Sequence, residues 1–165
     1  MLLTPWYKVM MDSFLIFAAE YLYLVSVAML GVYFLLQHRD SWKRMALFAI
    51  PAGLFALAFG MLANHLYFDP RPFVVGHFTP LIPHAPDNGF PSDHTLLVSA
   101  VAMIGTLWNR RLGIVLWILA LLVAVGRVYV GLHHALDVAG SIVISSVAVL
   151  LTYAAYRYLW HTEIA

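Results

Sequence analysis

Long apolar segments constrain the fold of this chain more than any other feature of its sequence. Five such segments cover residues 14–37, 45–67, 95–108, 112–130 and 138–160. Most of them approach the ~20 residues that a helix needs to cross the hydrocarbon core of a bilayer. Backbone polar groups in lipid must be satisfied inside the segment, so we expect helices. The sequence therefore predicts an all-α, polytopic membrane helix bundle with about five transmembrane spans.

The composition excludes a soluble enzyme. Hydrophobic residues make up 63% of the 165 positions and charged residues only 10%, whereas soluble domains average about 45–50% and about 25%. A soluble fold of this size cannot bury so much apolar surface. The length fits one domain, so we interpret residues 1–165 as a single integral membrane unit.

The segment 1–12 precedes the first apolar run and contains Pro5, Trp6, Tyr7 and Lys8. It has neither a basic start nor a small-residue cleavage site, so it does not resemble a cleaved signal peptide. Aromatic side chains favour the headgroup region of a bilayer. We therefore predict that this segment is interfacial.

The positions of lysine and arginine predict the orientation, because cytoplasmic loops are enriched in them. Six of these residues share one side of the predicted bundle, namely Arg39, Lys43, Arg44, Arg110, Arg111 and Arg157. The remaining three, on the other side, are Lys8, Arg71 and Arg127. We expect a cytoplasmic C-terminus, with the N-terminus and the other two loops outside.

Net charge and cysteine content narrow the possible chemistry. The net charge of +1 gives no electrostatic support for a nucleic-acid partner. A chain without cysteine has no disulfide, no thiolate metal site and no cysteine nucleophile. Candidate chemistry must therefore use histidine, aspartate, glutamate, arginine or serine. Nothing in the sequence specifies an oligomeric state.

The polar residues of the two outer loops suit phosphoryl transfer. Arg71 and Arg127 offer planar, permanent charges that match phosphate oxygens. One histidine can attack phosphorus as a neutral nucleophile while another protonates the leaving oxygen, and His94 and His133 are the candidates. Asp137 would accept the far ring N–H of His133 and fix its tautomer. This chemistry requires that the fold bring the two loops together.

The order and spacing of these residues resemble the three-part signature of the phosphatidic acid phosphatase type 2 superfamily. The matching strings are Asp69-Pro70-Arg71-Pro72-Phe73, Phe90-Pro91-Ser92-Asp93-His94-Thr95 and Arg127-Val128-Tyr129-Val130-Gly131, followed by His133 and Asp137. Within that superfamily the strings are similar to those of bacterial undecaprenyl-diphosphate phosphatases of the bacitracin-resistance type.

The resemblance implies a role for each matching residue. The catalytic residues would be His133 as the nucleophile that becomes a phosphohistidine, Asp137 as its partner and His94 as the acid. The phosphate oxygens would be bound by Arg71, Arg127 and Ser92. No cofactor and no metal are implied, because side chains and backbone donors would supply the positive charge.

The resemblance also implies a reaction and a location. The substrate would be undecaprenyl diphosphate, hydrolysed to undecaprenyl phosphate and inorganic phosphate at the outer face of a bacterial inner membrane. This reaction would recycle the lipid carrier for cell-wall synthesis. The expected partners are therefore this polyprenyl lipid and the surrounding membrane lipids.

Two positions depart from the family pattern. The family usually has a lysine where this chain has Asn64, and often a serine where it has Gly126. We predict either that Asn64 binds phosphate through a neutral hydrogen bond or that another group compensates for the missing charge.

Further polar residues are weaker candidates. Glu20 lies inside the first apolar run, where an ionisable group is costly and is a functional candidate by default. The alternative is a structural role, in which Glu20 pairs with another buried polar residue at the bundle centre, such as Asn64 or His65. Asp93, beside His94, would offer further polar support.

The remaining histidines and aspartates do not predict a metal site. The relevant residues are His65, His77, His84, His134, Asp69 and Asp87. Their spacing matches no recognised zinc or two-metal arrangement.

Two alternative functions are compatible with the sequence. The first is a broader lipid phosphatase that acts on phosphatidate, phosphatidylglycerol phosphate or lipid A. The second is a small proton-linked transporter, with Glu20, His94, His133 and Asp137 as a relay. The second alternative predicts charges through the depth of the bundle, whereas most polar residues here collect at one side.

Overall fold

The computed structural model describes residues 6–161, and the regular structure of this part is helical apart from one isolated bridge between Pro70 and Asn88. The helices are α1 (Trp6–Leu35), α2 (Arg39–Leu66), α3 (Pro72–Val75), α4 (Asp93–Trp108), α5 (Arg110–Tyr129) and α6 (Ala135–His161). The prediction of an all-α bundle is confirmed.

Four helices are long and apolar enough to cross a membrane, namely α1, α2, α5 and α6. The helix α4 has 16 residues and is therefore about 24 Å long, which is shorter than the ~30 Å hydrocarbon core. It corresponds to the predicted span 95–108 and begins earlier, at Asp93. The described residues thus contain four helices of membrane length and one shorter apolar helix.

The predicted interfacial segment 1–12 is only partly covered, because residues 1–5 lie outside the described part. From Trp6 onward the segment is the beginning of α1, so the first helix starts well before Phe14. The hydroxyl of Tyr129 donates to Oδ1 of Asp12 at 2.6 Å, which ties this end of α1 to α5. Its placement at headgroup depth stays a prediction.

The short helix α4 is the central element of the bundle. It packs against α1, α2, α5 and α6, and its buried residues include Val98, Ala102 and Ile104. Small side chains such as Ala102 allow neighbouring helices to approach closely. Because the longer helices surround α4, it does not need the length of a lipid-exposed span.

The outer faces of the long helices are apolar and exposed. Examples on α1, α2, α5 and α6 are Leu24, Leu54, Ile118 and Leu151, each more than half exposed. Soluble monomers rarely expose apolar surface on this scale. The surface is therefore suited to contact with lipid chains.

A glycine permits the close crossing of α1 and α5. A Cβ atom at Gly126 would lie 3.0 Å from the backbone nitrogen of Ala19 and 3.0 Å from the carbonyl oxygen of Leu15. Backbone atoms cannot move aside as a flexible side chain can. A serine at this position, which is frequent in the family that the sequence resembles, would therefore require a wider spacing between α1 and α5.

We expect Gly126→Ala to destabilise the protein. Overpacking costs about 1–3 kcal/mol, which exceeds the gain of about 0.5–1 kcal/mol from replacing a helical glycine. Thermal unfolding in detergent should show a midpoint lowered by about 2–4 °C. The control is Gly31→Ala in α1, where nothing lies within 4 Å of the new atom. Equal midpoints for both variants would contradict the close crossing.

The two loops that carry most of the candidate site residues meet at one end of the bundle. The backbone N–H of Leu81, in the long loop between α3 and α4, donates to the carbonyl of Val130 at 3.0 Å. After Val130 the chain turns through Gly131, whose φ of 83° favours glycine. Because of this turn, the backbone N–H of His133 donates to the carbonyl of Arg127. The convergence on which the predicted chemistry depends is therefore present.

Candidate active site

His133 lies in the turn before α6 and is almost completely buried, at 2% exposure. Its Nδ1 is 2.8 Å from the carbonyl oxygen of Gly89 and 3.5 Å from Oδ2 of Asp137. A carbonyl oxygen can only accept, so Nδ1 carries the hydrogen and donates it to Gly89. The other ring nitrogen, Nε2, therefore keeps its lone pair.

Two arginines converge on that free nitrogen. Nη1 of Arg71 lies 3.4 Å and Nη2 of Arg127 lies 3.2 Å from Nε2 of His133. The three side chains come from two segments far apart in sequence, because Arg71 precedes α3 whereas Arg127 and His133 lie at the end of α5 and in the turn after it. Together they form a cationic cup, defined here as Arg71, Arg127 and Nε2 of His133.

Arg71 is held by the long loop. Its Nε donates to Oδ1 of Asp87 at 2.6 Å, its Nη1 to the carbonyl of Leu132 at 3.0 Å and its Nη2 to the carbonyl of Asn88 at 3.2 Å. Burial raises the pKa of Asp87, but the hydrogen bond and charge of Arg71 outweigh this effect and hold that pKa below 3.8. Asp87 therefore stays ionised and fixes the guanidinium.

Arg127 is also buried, yet it is less fully engaged. Its Nε has no hydrogen-bond partner among the described residues. The carboxylates of Glu20 and Asp93 lie close enough to act on its charge electrostatically. A buried donor without a partner is costly in the absence of a ligand. Arg127 is therefore the side chain most ready to bind an incoming anion.

A cavity of about 280 Å³ opens above Arg127. Its lining consists of Glu20, Tyr21, Ile82, His84, His94 and Arg127. The ring of His94 contacts Tyr23 edge to face, with centroids 4.7 Å apart. His94 and Arg127 thus share one cavity, as an acid and an anion ligand would require.

The structure places Glu20 in the lining of this cavity, which does not include Asn64 or His65. The side-chain amide of Asn64 instead donates to the carbonyl of Phe90 at 2.8 Å, and its backbone carbonyl accepts from Asn88. Asn64 therefore fastens the long loop to the end of α2. Its predicted role in binding phosphate stays a prediction.

Ser92 and Asp93 lie at the start of α4. Ser92 is fully buried, and its hydroxyl accepts from Thr95 at 3.1 Å while its carbonyl accepts from Ser141. Asp93 is exposed as the first residue of the helix. Neither residue lines the cavity, so their predicted contacts with substrate remain expectations.

Asp137 is fully buried beneath His133. Its Oδ2 accepts the backbone N–H of His134 at 2.8 Å, and its Oδ1 has no partner among the described residues. Ligand-type atoms of Asp69, His134 and Asp137 lie within 4.8 Å of one another. Such a group could hold a metal ion, although the sequence predicts none. That prediction is open to the chelator test described below.

We expect His133 to stay neutral below the ordinary titration range of histidine. Burial lowers the pKa of His133 below 6.5; the hydrogen bond with Asp137 opposes this shift, and the charges of Arg127 and Arg71 add to it. The predicted role of His133 as nucleophile requires the neutral ring, so the acidic limb of kcat/KM against pH should have its midpoint below 6.5.

Comparing a lipid diphosphate with the monophosphate of the same lipid provides the control for this profile. When the titration of His133 sets the acidic limb of the profile, the midpoint of that limb should be the same for both substrates, although the two substrates ionise differently. A midpoint above 6.5 with both substrates would contradict the expected shift.

Comparisons with known proteins show the family of this chain. A family model described as the PAP2 superfamily matches residues 46–161. Undecaprenyl-diphosphatase BcrC of Bacillus subtilis (strain 168) is 36% identical over 148 residues, which cover 90% of this chain and 75% of the relative. The bacitracin transport permease protein BcrC of Bacillus licheniformis is 29% identical over 145 residues, covering 87% and 71%.

A solved structure shows the same fold. The crystal structure of Aquifex aeolicus LpxE superposes with a TM-score of 0.68 at 20% identity, covering 92% of this chain and 88% of that one. The range matched by the family model contains Arg71, His94, Arg127, His133 and Asp137. It does not contain Glu20, which comes from α1.

Proposed function

This chain belongs to the PAP2 superfamily, and from that membership we propose that it is a membrane phosphatase that removes the terminal phosphate of undecaprenyl diphosphate. One observation carries the proposal. Arg71 and Arg127 approach Nε2 of His133 to 3.4 and 3.2 Å. A phosphate bound by both guanidinium groups would have its phosphorus beside the lone pair of a neutral imidazole.

In the first step Nε2 of His133 attacks the terminal phosphorus. When the substrate binds, the phosphate oxygens replace Nε2 as acceptors of the arginine N–H groups, so the lone pair of Nε2 becomes free. A phosphorus–nitrogen bond forms, the bond to the bridging oxygen breaks, and His94 donates a proton to the leaving lipid phosphate. The imidazole becomes cationic, and the Gly89 carbonyl and the Asp137 carboxylate stabilise its Nδ1–H.

In the second step water attacks the phosphohistidine. His94, now neutral, accepts a proton from the water as the oxygen bonds to phosphorus. The phosphorus–nitrogen bond breaks and returns its electron pair to Nε2. Inorganic phosphate leaves, and both histidines regain their starting states.

The position of the cavity supports a lipid substrate. Tyr21 lines the cavity and is also 49% exposed on the apolar face of α1. A headgroup could therefore enter from the side of the bundle while its hydrocarbon chain stays in the bilayer. The name of the Bacillus subtilis relative favours undecaprenyl diphosphate among the possible lipids.

We place the active site outside the cytoplasm, in a bacterial inner membrane. The basis is the distribution of basic residues, six of which lie at the opposite side of the bundle. On this topology the product is formed in the outer leaflet, where it would be recycled as a lipid carrier for cell-wall synthesis.

Phosphate release by the purified protein tests the proposal. Undecaprenyl diphosphate and phosphatidate are compared in one detergent, each with and without EDTA. We expect faster turnover of undecaprenyl diphosphate and full activity with EDTA. A preference for phosphatidate would support the broader lipid phosphatase, and a loss with EDTA that added metal restores would contradict a metal-independent mechanism.

The transporter alternative has one supporting observation, which is the name of the Bacillus licheniformis relative. In the described part of the chain, however, the four residues of the proposed relay lie at one end of the bundle. Uptake by sealed vesicles without release of phosphate would favour transport over hydrolysis.

A further inference from the structure

Asp69 lies directly before the Pro70-Arg71 segment and is connected to His133 through its backbone. Its carbonyl accepts the N–H of Gly89 at 2.8 Å, and the carbonyl of Gly89 in turn accepts from Nδ1 of His133 at 2.8 Å. The N–H of Asp69 donates to Oδ1 of Asn88 at 2.9 Å. These bonds fix the position of Asp69 relative to the nucleophile.

The side chain of Asp69 forms a second connection. Its Oδ2 lies 3.3 Å from Nδ1 of His134, an ion-pair contact that does not have the geometry of a hydrogen bond. The backbone N–H of His134 donates to Oδ2 of Asp137, which lies 3.5 Å from Nδ1 of His133. Asp69 is thus linked to the predicted nucleophile His133 through His134 and Asp137.

The carboxylates of Asp69 and Asp137 lie close together, with His134 in contact with both. Asp137 is fully buried, and ligand-type atoms of the three residues lie within 4.8 Å of one another. Burial, followed by the negative charge of Asp137, raises the pKa of Asp69, while His134 opposes the rise. The side chain of His134 therefore lies next to the Asp69 carboxylate while its backbone N–H holds the Asp137 carboxylate.

We propose that Asp69 is a positioning residue, which together with His134 fixes the Asp137 carboxylate against the nucleophile His133. The inference rests on the proposed function of this site. Asp137 is needed most when His133 becomes cationic after attack, so a carboxylate held in place beforehand stabilises that state without reorganisation. The side chain of Asp69 therefore contributes to turnover and not to substrate affinity.

The test compares Asp69→Ala with Asp69→Asn. We expect Asp69→Ala to lower kcat about 10- to 100-fold, in the range of coupled neighbours, with KM changed by less than about 2-fold, because the side chain does not reach the phosphate. Asp69→Asn should recover most of the loss, because an amide still offers a donor and an acceptor. An unchanged kcat, or a change confined to KM, would overturn the inference.

A double-mutant cycle separates positioning from a structural role. In an Asp137→Asn background, Asp69→Ala should cost less than about 2-fold in kcat, because the group it positions is already altered. If Asp69→Ala lowers kcat in the Asp137→Asn background as much as it does in the wild type, the inference is overturned. Asp40→Ala, whose side chain is 80% exposed at the other end of the bundle, is the matched control.

Two further measurements distinguish a failure of the Asp69 inference from a failure of the proposed function. If Asp69→Ala does not elute as a folded protein in detergent, His134→Gln replaces it in the same cycle with the same expected non-additivity. Wild type and His133→Ala are assayed in parallel. Absence of phosphate release by the wild type would refute the proposed function itself. Equal activity of the two proteins would refute the role of His133, and an inactive His133→Ala together with an additive cycle refutes only the role of Asp69.

Discussion

Replacing His133 with alanine should lower phosphate release from undecaprenyl diphosphate by about 10³-fold or more, the scale seen when a covalent nucleophile is removed. Nε2 of His133 is the atom on which both arginines converge, and alanine offers nothing that can attack phosphorus. Single-turnover release of labelled phosphate by purified protein, with EDTA present, provides the measurement.

The control for this variant is His38→Ala. His38 lies at the opposite end of the bundle, and its side chain is 85% exposed, so its removal should leave turnover unchanged. His133→Ala should also elute from a sizing column and unfold as the wild type does. A variant that is folded and retains more than about a tenth of the activity would exclude His133 as an essential nucleophile.

Replacing Arg127 with lysine should lower kcat by about 10²-fold or more, because lysine keeps the charge but loses the planar fork. Arg127 reaches Nε2 of His133 through Nη2, and its Nε has no partner in the described part of the chain. Both observations indicate donors available for phosphate. Steady-state kinetics with undecaprenyl diphosphate would measure kcat and KM separately.

Arg71 and Arg110 provide two comparisons for this variant. Arg71→Lys should reduce turnover and also lower the unfolding temperature, because Asp87 and two carbonyls would lose their donor. Arg110→Lys, at the other end of the bundle, should change neither quantity. If Arg127→Lys matches the wild type in kcat, planar two-point binding of the phosphate by Arg127 is not part of the mechanism.

The membrane fold could be predicted because apolar run length is a direct consequence of bilayer thickness. The helix ends could not be predicted equally well. The first helix begins at Trp6 and the second at Arg39, since helices continue past the apolar core into polar residues. The central position of α4 was also missed, because hydropathy does not distinguish burial in protein from burial in lipid.

The site residues with charged side chains could be predicted, since their residue types and spacing carry the chemistry. The predicted pair of His133 and Asp137 lies together, but the closer acceptor for Nδ1 is the carbonyl of Gly89. A backbone carbonyl has no residue-type signature. The sequence Pro86-Asp87-Asn88-Gly89 is typical of a turn, yet it does not reveal that the turn binds Arg71.

Glu20 illustrates the limit of local patterns. Its place in an apolar run marked it as a functional candidate, and its partner could not be named. The structure places it on the cavity with His94 and Arg127 because α1 crosses α5 at Gly126. Such a contact depends on helix packing between distant segments and leaves no trace in spacing along the chain.

The most direct test of the central claim is to identify the residue that receives the phosphate. Wild-type protein is mixed with undecaprenyl diphosphate labelled in its terminal phosphate, quenched within milliseconds under alkaline conditions that preserve phosphohistidine, and cleaved with trypsin. We predict label on the peptide 128–157 at His133 and no label in His133→Ala. Label on the peptide that contains His94, or label that persists in His133→Ala, would contradict the account.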